Sequence, residues 1–200
     1  MITLQNESTR LELLPELGGG IASWVALDSD QPLLQSPVDN KHTPYSWGKL
    51  ACFPLVPWSN RIGQGGYETA QGWLHLSCFQ EDEPYPIHGT AWHQPWEVAS
   101  RSAEEAVLRL ASQDPYPYKA EQKFILAGER LILELTVEHL DHHPAWYGIG
   151  LHPFFLAGKT RVFRPVPRPS GSRRTSACHA SNGLSRATGV SPMATPCRRA

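Results

Sequence analysis

Leu131-Ile132-Leu133-Glu134-Leu135-Thr136-Val137 alternates so that Glu134 and Thr136 fall on one face of an extended chain and leucines on the other. A period of two is the mark of a strand with one buried face. Outward from it, shorter stretches repeat the pattern at Lys123 to Leu126, Ala106 to Leu110 and Trp96 to Ala99. The segments between them, Ala127-Gly128-Glu129, Ser112 to Tyr118 and Ala103-Glu104-Glu105, are of hairpin length or slightly longer. An antiparallel meander is the simplest topology. At the start of the chain, residues 2 to 14 and 20 to 27 read as strands flanking Pro15 and Gly18-Gly19-Gly20, with a loop rich in Pro, Asp and Gln after them. From Leu50 to Ile62 the apolar run contains Pro54 and Pro57 and ends in Ser59-Asn60-Arg61. Proline denies a central ladder position, so this is an extended segment that carries polar groups to a rim.

Composition agrees with an all-β class. Eighteen Pro and sixteen Gly among 200 residues interrupt the chain too often for long helices. Apolar residues at 40% and charged residues at 18% exclude a coiled coil or a charged disordered chain, and the length gives room for a sizeable core. The longest apolar run, near Leu50 to Trp58, falls far short of the roughly 20 residues of a membrane helix. With Asn6, Glu7, Arg10 and Glu12 in its first dozen residues the start offers no basic region followed by an apolar one, nothing suggests export, and a cytoplasmic location without membrane association is expected.

All 19 acidic residues and ten of the 18 basic ones lie in residues 1–160; residues 161–200 hold eight Arg, no Lys, no acid and one aromatic, Phe163. Such a composition cannot bury enough apolar surface to offset the entropy of ordering, so a disordered basic tail is expected. It is also what a GC-rich coding sequence yields when read out of frame. A nucleic-acid arm would use Arg in this way, but no nucleic-acid partner is expected. Cys52, Cys78, Cys178 and Cys197 form no C-x-x-C pair. Neither zinc nor a disulfide framework is indicated, and Cys52 and Cys78, among apolar neighbours, read as buried reduced thiols.

Histidine is the side chain most able to exchange a proton near neutral pH. His42, His75 and His179 have no supporting context, and His139, His142 and His143 beside Asp141 lack the H-E-x-x-H spacing and read as a solvated turn. No metal or cofactor is expected. His88, in Tyr85-Pro-Ile-His-Gly-Thr-Ala-Trp92, and His152, in Gly148-Ile-Gly-Leu-His-Pro-Phe-Phe155, are each fixed by flanking Gly and Pro. A lone histidine of this kind is more often a core residue bonded to a carbonyl. Two of them, with Arg61, form a candidate site.

Four landmarks stand in order: Phe53-Pro-Leu-Val-Pro-Trp-Ser-Asn-Arg-Ile62, Pro86-Ile-His-Gly-Thr-Ala-Trp92, Tyr116-Pro-Tyr118 with Ala120 and Gln122, and Gly150-Leu-His-Pro-Phe-Phe155. In this order the chain resembles the aldose 1-epimerases, or galactose mutarotases, over about residues 1 to 158. The resemblance implies a large antiparallel β-sandwich, here spanning residues 1–160 and incomplete at the C-terminus. It implies interconversion of the α and β anomers of a free hexose such as glucose or galactose, without metal or cofactor. Asn60 and Arg61 would bind sugar hydroxyls, His88 would support the reacting centre and His152 would be the general acid. His139 departs from the family, which commonly has Asn there, and Pro144-Ala-Trp-Tyr-Gly148 is unusual.

The chemistry needs a base as well as an acid: a proton leaves the C1 hydroxyl while another reaches the ring oxygen, each positioned group being worth about 10² to 10⁴ in rate. Arg61 stays protonated and is not a base. The family's glutamate base and a substrate-binding aspartate lie downstream of the Gly-Leu-His-Pro motif, where this chain has no acid. No general base is therefore identified, and the alternative reading is a non-catalytic carbohydrate-binding β-sandwich or an inactive fragment. Trp58, Trp92, Trp96 and Phe154 could stack on a sugar, although sandwich core is the commoner place for each.

Overall fold

The computed structural model describes residues 1–35, 50–79 and 83–155, and the backbone of two further strands, Val162–Val166 and Ala177–Ser181. The alternation around Leu131 is the inner face of a four-stranded antiparallel sheet built from β8 (Glu97–Arg101), β9 (Glu105–Ser112), β10 (Tyr118–Ala127) and β11 (Arg130–His139). The strands pair in sequence order, as a meander. Opposite one another stand Phe124 and Leu133, Gln122 and Leu135, and Leu126 and Leu131, all buried. Cross-strand pairs of this kind set the register, because a slip of one residue would send the leucines to solvent. The outer face carries ion pairs such as Arg109 with Glu121 at 2.8 Å, which are exposed and contribute little.

A second four-stranded meander comprises β1 (Ile2–Gln5), β2 (Thr9–Leu14), β3 (Gly20–Ala26) and β4 (Gln31–Gln35). Leu4, Leu11, Leu13 and Ile21 from this sheet join Leu108, Phe124, Leu126 and Leu133 from the other in one apolar cluster. Two inner faces sharing a core make the expected all-β sandwich. Buried Gln122 of β10 spans the layers, its amide donating to the Gly19 carbonyl at 3.1 Å.

Three expectations need correction. The single strand over residues 2 to 14 is two, because the Asn6 side-chain oxygen accepts from the amides of Ser8 and Thr9 at 2.9 and 2.8 Å and turns the chain. The loop after residue 27 contains β4, in which Pro32 takes part; residues 36–49, including His42, lie outside the described residues. Cys52 is buried as expected, but Cys78 is exposed: only Leu76 in that stretch turns inward, and Ser77, Cys78 and Phe79 do not.

Three further strand pairs and two short 3-10 turns, Gly63–Gly65 and Ala91–His93, lie among the described residues. β5 (Pro54–Leu55) pairs with β12 (Gly150–Leu151), β6 (Gly66–Thr69) with β7 (Gly72–His75), and β13 (Val162–Val166) with β14 (Ala177–Ser181). Of the expected disordered tail, the last pair is the part that lies within the described residues. Among the described residues no helix is long and apolar enough to cross a membrane.

Candidate functional site

The two prolines that bar residues 53–58 from a regular ladder leave a short strand, β5, whose partner is the chain leading to His152. Gly148 donates to the Pro57 carbonyl at 2.8 Å, His152 to Phe53 at 2.9 Å and Phe154 to Ala51 at 2.8 Å. These bonds seat His152 over Phe53, with ring centroids 4.8 Å apart and planes within 11°. Phe154 lies 4.8 Å away at a tilt. Nδ1 of His152 is buried with no hydrogen-bond partner among the described residues.

His88 reaches the same place from another segment. Its ring stands edge-on to His152 with centroids 5.1 Å apart, and 5.9 Å from Phe53. Nδ1 lies 3.0 Å from the Ser59 carbonyl, which can only accept, so Nδ1 carries a proton and Nε2 of the neutral ring is an acceptor. Burial is the main cause that holds the imidazole below its ordinary range, opposed by the Ser59 carbonyl and assisted by His152 and Arg61. The backbone of His88 is left-handed, with φ of 64°. A non-glycine residue is rarely found there, and such strain gathers at functional sites. It persists here because both flanks are tied: Ile87 bridges Arg61, and Gly89 bridges Val56.

Arg61 is exposed at the rim, next to Ile62, whose amide donates to Pro86 at 2.9 Å. The adjacent Asn60 turns its side-chain oxygen back to accept from the Arg61 amide at 2.8 Å, so part of its polar capacity is spent locally. Arg61 meets a residue that the sequence reading did not single out. Glu83 accepts from Nε at 2.9 Å and from Nη2 at 3.0 Å, a two-point pair that holds the carboxyl below its ordinary value.

His88 and His152 are thus brought together, with Asn60 and Arg61 on the segment whose Ser59 carbonyl fixes His88. The other sequence candidates take structural places. Trp58, Trp92 and Trp96 are buried, and the indole N–H groups of Trp92 and Trp96 donate to the carbonyls of Gly89 and Ala91. Tyr118 shares a hydrogen bond with Thr90, and Gln122 bridges the layers. His139 has partners on both ring nitrogens, Tyr147 OH at 2.8 Å and the His143 carbonyl at 2.7 Å, and burial pushes the Tyr147 hydroxyl up to about 12.

The β-sandwich thus carries His88 and His152 as a pair, with Arg61 exposed nearby. A family model described as Aldose 1-epimerase matches residues 1–164, and the chain belongs to that family. It is 29% identical to the uncharacterized protein YphB of Escherichia coli K12 over 114 residues, 56% of this chain and 39% of that protein. The structure of a provisionally assigned aldose 1-epimerase from Escherichia coli K12 superposes with a TM-score of 0.70 at 26% identity, covering 82% of this chain and 54% of that one. A galactose mutarotase related enzyme from Lactobacillus acidophilus shares the fold, with a TM-score of 0.63 at 19% identity, over 83% of this chain and 58% of that one. The chain therefore covers from 39% to 58% of the length of these relatives.

Proposed function

We propose that this chain binds a free hexose against Asn60, Arg61, His88 and His152, and that the chemistry of the site is interconversion of α and β anomers. The observation that carries the reading is the His88–His152 pair, whose rings lie 5.1 Å apart on a floor made by Phe53. In this reaction the C1 hydroxyl loses a proton, the ring oxygen gains one, and the C1–O5 bond breaks to give an open aldehyde. Rotation about C1–C2 and reversal of the same proton transfers close the other anomer. His152 can protonate the ring oxygen from Nε2 in its imidazolium form, the ring returning to neutral imidazole as the proton leaves. Neutral His88 offers Nε2 to a sugar hydroxyl, and Arg61 and Asn60 have N–H groups for the others. A carboxylate is the natural base.

A second reading is favoured by one observation: both oxygens of Glu83, the carboxylate that meets Arg61, are engaged there. If no other base serves the site, the chain binds sugar without turnover. Polarimetry of freshly dissolved α-galactose and α-glucose separates the two. The anomerase reading expects faster decay of optical rotation than buffer gives, slowed about 10²-fold or more by His152→Ala while calorimetric binding is largely kept. Binding with no acceleration selects the sugar binder. Neither binding nor acceleration refutes both.

A further inference from the structure

We propose that Glu83 is a specificity-determining positioning residue, holding Arg61 in a two-point pair and cancelling its charge so that the site takes uncharged aldoses in preference to their phosphates and uronates. The inference rests on the hexose-binding reading for the identity of the ligand, but its electrostatic core does not.

A guanidinium presents five N–H groups and two forks, one formed by Nε and an Nη, the other by both Nη atoms. The bonds of 2.9 and 3.0 Å to Glu83 fill the first fork. What remains suits hydroxyl oxygens, which need donors and no net charge. Left unpaired, the same group would be a ready phosphate or carboxylate site. His88, close enough to feel Arg61, is kept toward neutrality mainly by burial, with Glu83 a minor opposing influence. An anionic sugar would therefore meet a guanidinium whose charge Glu83 already balances.

The pair is built into the fold. Glu83 leads directly into the segment that supplies Ile87 and His88, and this segment is tied to the Arg61 segment by the Ile87–Arg61 bridge and the Ile62 amide. Arg61 is thus fixed at its backbone by strand-like pairing and at its tip by Glu83. A half-exposed pair contributes little to folding stability. Its role is to set geometry and charge.

The test compares wild type, Glu83→Gln and Glu83→Asp for binding of galactose, galactose 6-phosphate and inorganic phosphate at low ionic strength, with urea midpoints to verify folding. Glu83→Gln should weaken galactose a few-fold and strengthen both anions about three- to ten-fold, an effect that shrinks in 0.5 M salt. Glu83→Asp should restore most of the discrimination. In an Arg61→Met background, Glu83→Gln should confer no anion binding, which traces the gain to Arg61; a merely structural role for Glu83 predicts no gain in either background. An unchanged ratio of anion to galactose affinity in Glu83→Gln overturns the proposal even if galactose binds. If phosphate binding rises through Arg61 while no variant binds galactose, the role of Glu83 stands and the hexose reading falls.

Discussion

Replacing Gly89 with alanine adds a methyl group to the backbone that carries His88. Gly89 lies at φ of 73°, and a Cβ built there would overlap the Val56 carbonyl and crowd the Pro57 nitrogen. That carbonyl also accepts from the Thr90 and Ala91 amides at 2.8 and 3.0 Å, so it cannot retreat without loosening both. The left-handed conformation costs alanine about 1–2 kcal/mol, and overpacking against rigid neighbours adds about 1–3 kcal/mol. The expected loss of about 2–5 kcal/mol is a large part of the ~5–15 kcal/mol that holds a domain folded. Gly128→Ala is the matched control, since Gly128 lies at φ of 61° with nothing within 4 Å of its built Cβ. It should lose the conformational part alone, about 1–2 kcal/mol. Urea denaturation of the three proteins, extrapolated linearly to water, reads the difference. Equal losses for the two variants would refute the claim that Val56 and Gly89 are in unyielding contact.

Two further outcomes follow from buried polar groups. Gln122→Leu leaves the Gly19 carbonyl without the donor that now lies 3.1 Å away, and should cost about 1–3 kcal/mol in urea denaturation; no loss would mean that the two layers do not depend on it. His88, whose folded state resists protonation because of burial, should make the protein lose stability as pH falls below its ordinary value of 6.5, where the unfolded chain binds the proton first. His93 is shifted the same way by burial, so His88→Asn should reduce this pH dependence without removing it. Urea midpoints at pH 7.5, 6.0 and 5.0 that fall in parallel for both proteins would dismiss the contribution of His88.

What could be read from the sequence followed the depth of burial. β9, β10 and the first part of β11, through Leu135, bury every second residue almost completely, so Leu108, Phe124 and Leu133 wrote a period of two into the chain. β6 and β7 escaped notice because the Gly72–His75 strand has no fully buried position and so places no strict demand on its residues. The candidate site divided in a similar way. His88 and His152 stand between prolines and glycines that fix the chain, a local signal. Glu83 has no local signal: it follows two other acids, Glu81 and Asp82, and its partner Arg61 lies 22 positions back. Only the pairing of two distant segments selects it. Cys78 misled because apolar neighbours in sequence need not face the same way in space.

The left-handed turn at His88 bears on how a ligand would arrive. A residue tied on both flanks by strand-like bridges, and already strained, has few other conformations to visit. Its ring is in place before any encounter, and the Phe53–His152 stack leaves that ring similarly little freedom. A ligand that binds at this part of the molecule is then expected to associate in a single collision step, with an observed rate that rises in proportion to ligand concentration and does not level off at an isomerisation limit. Affinity differences among ligands would accordingly be written in how long each stays.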